Sequence, residues 1–241
     1  MEYYYTEPEN ILVQTGELFL IGSEYDHVVK VLRKRTGEEI TVTDGIGNIY
    51  LCVISDLKEF KVRCKIQGHQ KNLFEPNTRI RLFLSPLKSK ERFEFAVEKS
   101  VELGVDSIIP VITSNTVKKS DFAGQKSERI RKIIIRAMCQ SQRCRLPEFY
   151  ESVSLEKLIE DTRFDLNKIV MYEFSDDRTP VKLSSDTESI SLIVGPEGGF
   201  DESEIELLIR NGWKAKSLGK RKLRAETAAI ISVYELLSKQ H

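Results

Sequence analysis

Histidine is scarce in this chain of 241 residues: His27, His69 and His241 stand far apart, and no Ser-His-Asp constellation can be assembled from their order. Hydrolytic triad chemistry is left without support. The four cysteines, Cys52, Cys64, Cys139 and Cys144, form no C-x-x-C pair and lie near no histidine cluster. That spacing argues against zinc and against a disulfide framework, and predicts reduced thiols and no metal. No apolar run approaches the roughly 20 residues that cross a bilayer. The opening Met1-Glu2-Tyr3-Tyr4-Tyr5 has neither the basic nor the apolar stretch of a secretory leader, so a cytoplasmic location is expected. Neither G-x-x-x-x-G-K-[S/T] nor G-x-G-x-x-G occurs at the glycine-rich segments, which turns expectation away from nucleotide hydrolysis and ordinary dinucleotide binding.

Net charge is also lacking, at a formal value of zero, which taken alone argues against a nucleic-acid partner. The average conceals segregation. From Lys118 to Arg145 nine basic residues face only Asp121 and Glu128, and from Lys214 to Arg224 there are six basic residues and no acid. A phosphate backbone responds to such local patches and not to the sum.

Residues 1–73 read as short strands, with one helix from Ser23 to Arg33 placing Val28, Val31 and Leu32 on one face. The strands Glu39–Thr43, Ile49–Ile54 and Phe60–Ile66 alternate in polarity, and Asp44-Gly45-Ile46-Gly47-Asn48 turns between the first two, which predicts a small β-barrel. The polar stretch Gly68–Thr78 reads as a linker, with a boundary near residue 74. Residues 74–241 then alternate strand and helix: Arg79–Leu84, Lys90–Leu103, Val105–Val111, Lys126–Arg143, Lys168–Tyr172, Ile190–Val194, Glu202–Arg210, Ala215–Leu218 and Glu226–Ser238. This alternation predicts an α/β domain with a mostly parallel sheet covered on both faces.

Two strand ends carry candidate chemistry. Val194 runs into Gly195-Pro196-Glu197-Gly198-Gly199 and a capped helix, where glycines let backbone approach a ligand; a plain strand-to-helix turn explains the same glycines equally well. Leu218-Gly219-Lys220-Arg221-Lys222-Leu223-Arg224 crowds cations in front of the helix that starts near Glu226-Thr227, where the dipole disfavours them, so an anion is expected there. On the helix Lys126–Arg143, Arg129, Lys132, Arg136, Gln140 and Arg143 recur at steps of three and four opposite an apolar stripe. That face contains no acid, which favours RNA phosphate over simple solvation. Lys88 and Arg92, in the basic loop after Arg79–Leu84, read equally as RNA contacts and as solvated cations.

Taken together, these segments resemble the ribosomal RNA small subunit methyltransferase E family of the SPOUT class. The resemblance rests on Gly195-Pro196-Glu197-Gly198-Gly199, on Leu218-Gly219 with Arg221, Leu223-Arg224 and Glu226-Thr227-Ala228, on Glu98-Lys99 with Glu102-Leu103-Gly104-Val105, on Gln140-Ser141 with Arg143, and on His27 with Val31-Leu32-Arg33. It implies a PUA-like barrel followed by an α/β domain with a C-terminal trefoil knot, a homodimer, and methylation of N3 of one uridine in 16S ribosomal RNA by S-adenosyl-L-methionine. Tyr172, Glu173, Gly195 to Gly199, Leu218, Gly219, Arg221, Leu223 and Thr227 would hold the cofactor. Arg143 and Arg224 would stabilise the acceptor anion, Glu197 or Glu226 would assist proton removal, and the barrel would add contacts to the RNA backbone through Lys30, Arg33 and Lys34. The family usually has a glutamate before Gln-Ser, where this chain has Cys139. Two other functions share these features: a non-catalytic RNA-binding protein of the same fold, and a knotted methyltransferase acting on a ribose 2′-oxygen of tRNA or rRNA.

Overall fold

The computed structural model describes residues 2–58, 60–117, 125–179 and 187–238. The chain divides into two compact units, Met1–Glu75 with Ile135–Leu146, and Pro76–Ile134 with Pro147–His241.

The first unit contains β1 (Tyr3–Tyr5), β2 (Ile11–Leu12), β3 (Glu17–Ile21), the short α1 (Ser23–Asp26), β4 (Glu39–Thr43), β5 (Asn48–Lys58) and β6 (Lys61–Lys71). Its sheet runs β1-β4-β5-β6-β3-β2, with β1 parallel to β4 and the other neighbours antiparallel. Alternate residues of these strands, among them Leu18, Leu20, Ile40, Val42, Ile54 and Val62, form its core, as a period of two requires. The sheet curls on itself: just past β1, the Thr6 N–H donates to the Thr43 carbonyl at 3.0 Å and its hydroxyl donates to the Phe19 carbonyl of β3 at 2.6 Å.

The helix expected from Ser23 to Arg33 is present as α1 continued by a π turn over His27–Val31. There the Leu32 N–H reaches back five residues to the His27 carbonyl at 2.9 Å. Winding wider than an α-helix moves the apolar stripe off one line. Val28 is fully buried, whereas Val31 and Leu32 are 65% and 44% exposed, so they do not share the core face assigned to them.

The rest of the chain forms β7 (Arg79–Leu84), α2 (Lys90–Leu103), β8 (Ser107–Ile112), α3 (Gln125–Gln140), β9 (Glu148–Phe149), β10 (Val153–Ser154), α4 (Leu155–Asp161), β11 (Lys168–Met171), β12 (Ser189–Val194), α5 (Glu202–Arg210), β13 (Lys214–Lys216) and α6 (Ala225–Leu237). The second unit's sheet is parallel throughout its described strands, in the order β10-β8-β7-β12-β11-β13, with β9 also on β8. Phe83, Ile109, Val111, Val170 and Ile193 pack with α4, α5 and Trp213. The alternate residues Ile80, Leu82, Leu84 and Leu192 are buried on the opposite face, that of α2 and α6. Burial on both faces explains why these strands read as continuous apolar runs.

Helix ends follow local rules. The Ser89 hydroxyl caps α2 by accepting the Arg92 N–H, Gly104 ends it with φ 113°, and the Glu204 carboxylate accepts the Asp201 N–H at the start of α5. The split in α3 is the departure from the linear reading, because from Ile135 onward the chain groups with the first unit. The Cys144 carbonyl accepts the Gly47 N–H at 2.9 Å, and the Leu146 N–H donates to the Gly45 carbonyl at 2.8 Å, so this stretch completes the β4–β5 turn.

Candidate functional site

Within the second unit, β11, β12 and β13 end side by side, and the loops that leave their carboxyl ends enclose a cavity of about 390 Å³. This is the volume and the topological position of a small-molecule site in an open parallel sheet. The loop after β12 is Gly195–Gly199. A Cβ on Gly195 would meet the Phe200 ring at 2.9 Å, and one on Gly198 would meet the Asn115 Cβ at 2.9 Å, so both positions need glycine to close the turn. The loop after β13 turns at Gly219, with φ 124° and open space beside its Cα.

The loop after β11 is fastened to β13. The Ser217 N–H donates to the Asp177 carbonyl at 2.9 Å, Ser175 Oγ donates to the Ala215 carbonyl at 3.0 Å, and Lys216 Nζ lies 2.6 Å from Asp177 Oδ2. The hydrogen bond from Lys216, helped by those from Thr179, pushes the Asp177 carboxyl down to about 2. At the cavity wall Glu173 pairs with Lys222 at 3.1 Å, tying the first loop to the last.

The cavity gathers most of the residues singled out in the sequence. Tyr172, Glu173, Gly195, Pro196, Glu197, Gly198, Gly199, Leu218, Gly219, Arg221, Leu223 and Arg224 all line it. Thr227 does not; the wall is made by Ala225 and Ala228, because the first turn of α6 rotates position 227 away. Glu197 is half-buried, and its Oε1 accepts the Lys88 N–H at 3.0 Å, which draws the basic loop after β7 against the glycine loop. Arg92, expected at RNA, also lines the cavity.

Two expected catalytic groups are placed differently. Glu226 is 7% exposed and is not part of the wall; its Oε1 lies 3.7 Å from Arg92 Nε and its Oε2 has no hydrogen-bond partner among the described residues. Arg143 belongs to the first unit, where its buried guanidinium pairs with Glu75 at 2.8 Å. Met171, Phe174, Val194, Phe200, Lys216, Ser217 and Lys222 complete the wall and are not among the residues expected to hold the cofactor. Their common signal is position, since they flank the strand ends from which the loops spring.

The cationic face expected on α3 is partly neutralised. Arg129 makes a two-pronged contact with Glu94 of α2, at 2.6 Å from Nε and 2.9 Å from Nη2. Lys132, Arg136 and Gln140 remain exposed, and Arg136 lies in the field of Glu24. Lys88 and Arg33 are exposed, whereas Lys30 pairs with Asp26 at 2.7 Å. Lys118 and Lys119 lie outside the described residues. Cys139 is buried, and burial, reinforced by Glu24 and Glu2, pushes its thiol up, so it stays protonated. Among the described residues no cluster of three or more His, Cys, Asp or Glu could hold a metal ion.

Comparison with known proteins agrees with this arrangement. An RNA methyltransferase domain family matches residues 74–236, and a PUA domain family of RNA methyltransferases matches residues 20–67. A ribosomal RNA small subunit methyltransferase E from Mesomycoplasma hyopneumoniae is 34% identical over 69% of this chain and 70% of its own length. Its counterpart from Aquifex aeolicus is 27% identical over 98% of this chain and 99% of its own. Among solved structures, ribosomal RNA small subunit methyltransferase E from Neisseria gonorrhoeae bound to S-adenosyl methionine superposes with a TM-score of 0.89 at 29% identity, covering 99% of this chain and 98% of that one. A methyltransferase from Legionella pneumophila, in complex with the same cofactor, gives 0.87 at 30% identity over 98% and 97%.

Proposed function

The chain belongs to the ribosomal RNA small subunit methyltransferase E family of RNA methyltransferases, and from that premise we propose that it transfers a methyl group from S-adenosyl-L-methionine to N3 of one uridine in 16S ribosomal RNA. The observation that carries this reading is the cavity of about 390 Å³ walled by the glycine loop Gly195–Gly199 and by Leu218, Gly219 and Leu223. The residues fit the cofactor. Met171, Leu218, Leu223 and Ala228 supply apolar wall for a planar ring, Gly219 leaves open space at the loop, and the carboxylates of Glu173 and Glu197 suit a cationic sulfur. When bound, the cofactor supplies an electrophilic methyl carbon.

The protein must then hold the acceptor in line and help its nitrogen lose a proton. Glu197, half-buried with one oxygen tied to Lys88, is fixed at the cavity and suited to accept that proton. Arg92, Arg221 and Arg224 line the same cavity and give it the positive charge that an anionic base needs. The PUA-like unit would hold RNA through Lys30, Arg33 and the exposed Arg136, and the exposed Lys132 of the second unit is a further candidate.

Two further properties belong to this proposal. A trefoil knot is supported by the strand order β7-β12-β11-β13, in which the chain enters the middle of the sheet and then passes beyond β11. A homodimer is supported by Phe95, Ile231 and Tyr234 on α2 and α6, which are 47%, 39% and 59% exposed. The function is tested by titrating the protein with S-adenosyl-L-methionine in a calorimeter and then supplying small ribosomal subunits with labelled cofactor. Binding and transfer of label to the RNA are expected. Absence of binding would refute the assignment.

A further inference from the structure

Two helix N-termini bring Arg92 and Glu226 together beside the cavity. Arg92 sits in the first turn of α2, where the helix dipole disfavours a cation, and its side chain is 43% exposed and lines the wall. Glu226 sits in the first turn of α6 with a side chain only 9% exposed, and its Oε2 is left without a hydrogen-bond partner among the described residues. A buried carboxylate oxygen without a partner costs free energy, and the dipole at α6 offsets only part of that cost. The separation of 3.7 Å between Glu226 Oε1 and Arg92 Nε is within ion-pair range but longer than a hydrogen bond. The carboxylate therefore attracts the guanidinium without engaging its donors. Arg221 and Arg224, which also line the cavity, have no such carboxylate behind them among the described residues.

The geometry points to Arg92 as the group that stabilises the anionic acceptor base, and to Glu226 as the positioning residue that holds its guanidinium at the cavity. This inference rests on the methyl-transfer function proposed above. Uridine N3 is flanked by two carbonyls. When its proton passes to Glu197 or to water, the electron pair left on nitrogen spreads over both oxygens. A guanidinium offers a planar fork of donors to such an edge, and a lysine ammonium offers only a point charge. The nitrogen pair then forms the bond to the methyl carbon as the sulfur–methyl bond breaks and sulfur keeps its electrons. Glu226 takes no part in proton removal, because it does not reach the cavity wall.

The test uses the full-length protein and Arg92→Ala, Arg92→Lys, Glu226→Gln and Glu226→Asp. Cofactor affinity is measured by calorimetry, and methyl transfer to small ribosomal subunits is measured across pH for kcat and for the KM of the RNA. Arg92→Ala is expected to lower kcat by about 100-fold, the loss typical of removing one donor to a developing anion, and to move the rise of rate to higher pH. Cofactor affinity and KM should stay near those of the parent protein. Arg92→Lys should fail to restore the rate. Glu226→Gln should lose about tenfold, as expected for a group acting through another, with the same shift of the pH profile, and Glu226→Asp should retain the parent profile. The urea midpoint of each variant separates a loss of folding from a loss of catalysis, and Arg92→Lys keeps a positive charge beside the buried Glu226 carboxylate. A loss confined to KM or to cofactor affinity, or an unchanged pH profile in Arg92→Ala, overturns the inference while leaving the function intact. A parent protein that binds the cofactor but methylates no RNA overturns the proposed function, and the inference with it.

Discussion

The carboxylate of Glu75 closes around the guanidinium of Arg143: Oε2 lies 2.8 Å from Nη2 and 3.2 Å from Nε, while Oε1 accepts the N–H groups of Cys144 and Arg145 at 2.7 and 2.9 Å. Both side chains are buried, at 5% and 6% exposure. Glu75 thus staples the end of the barrel segment to residues 143–145 of the same unit. Removing one member of a buried pair leaves an uncompensated charge. Glu75→Ala should therefore destabilise the first unit by about 3–5 kcal/mol, read from the urea midpoint. A change within about 0.5 kcal/mol, as for an ordinary surface substitution, would show that the staple carries no stability.

Gly219 tests the cavity itself. A side chain there has room but must adopt φ 124°, whereas Gly16, in the first unit, is equally open at φ 67°. Each alanine variant should carry strain of about 1–3 kcal/mol. Only Gly219→Ala should weaken cofactor binding, by roughly tenfold or more in calorimetry. Equal cofactor affinities in the two variants would place the binding site elsewhere.

Stability should depend on pH through Glu24. Burial, reinforced by Glu2 and opposed by the Tyr5 backbone hydrogen bond and by Arg136, pushes its carboxyl from an ordinary 4.5 up to about 7. Between those values the folded state holds a proton that the unfolded chain has lost. Stability therefore falls as pH rises from about 4.5 to 7 and levels off above it, by an amount on the order of 3 kcal/mol. Glu24→Gln should flatten that slope and raise the urea midpoint at pH 8. An unchanged slope in the variant would assign the pH dependence to other groups.

Cations on the first unit should act on RNA alone. Lys30→Glu and Arg33→Glu are expected to weaken binding to small-subunit RNA and to lower the slope of log affinity against log salt by roughly one each, with cofactor affinity unchanged. A salt slope equal to that of the parent protein would remove these residues from the RNA path.

Much of this architecture is legible in one dimension because it is local. The helix Glu202–Arg210 has the bounds expected from its capping sequence, and Gly104 and Gly212 take the left-handed conformation that their positions require. The glycine loops meet at one cavity because parallel strands release their loops on the same edge. What the linear pattern conceals is long-range. Glu94 neutralises Arg129 from a different helix, so the acid-free face of α3 is not acid-free in space, and Arg143, past the end of α3 at Gln140, is engaged by Glu75 across 68 positions. α4 escaped notice because its seven residues offer only Leu155 and Leu158 as buried anchors. Val31 and Leu32 were misassigned because nothing in their spacing signals a π turn.

The most direct test of the central claim is to map the methylated nucleotide by mass spectrometry. Small ribosomal subunits from a strain lacking this enzyme are incubated with the purified protein and S-adenosyl-L-methionine, and the 16S ribosomal RNA is digested. One uridine carrying its new methyl group on N3 is the predicted result. A methyl group on a ribose 2′-oxygen, or RNA left unmodified by a protein that binds the cofactor, would contradict it.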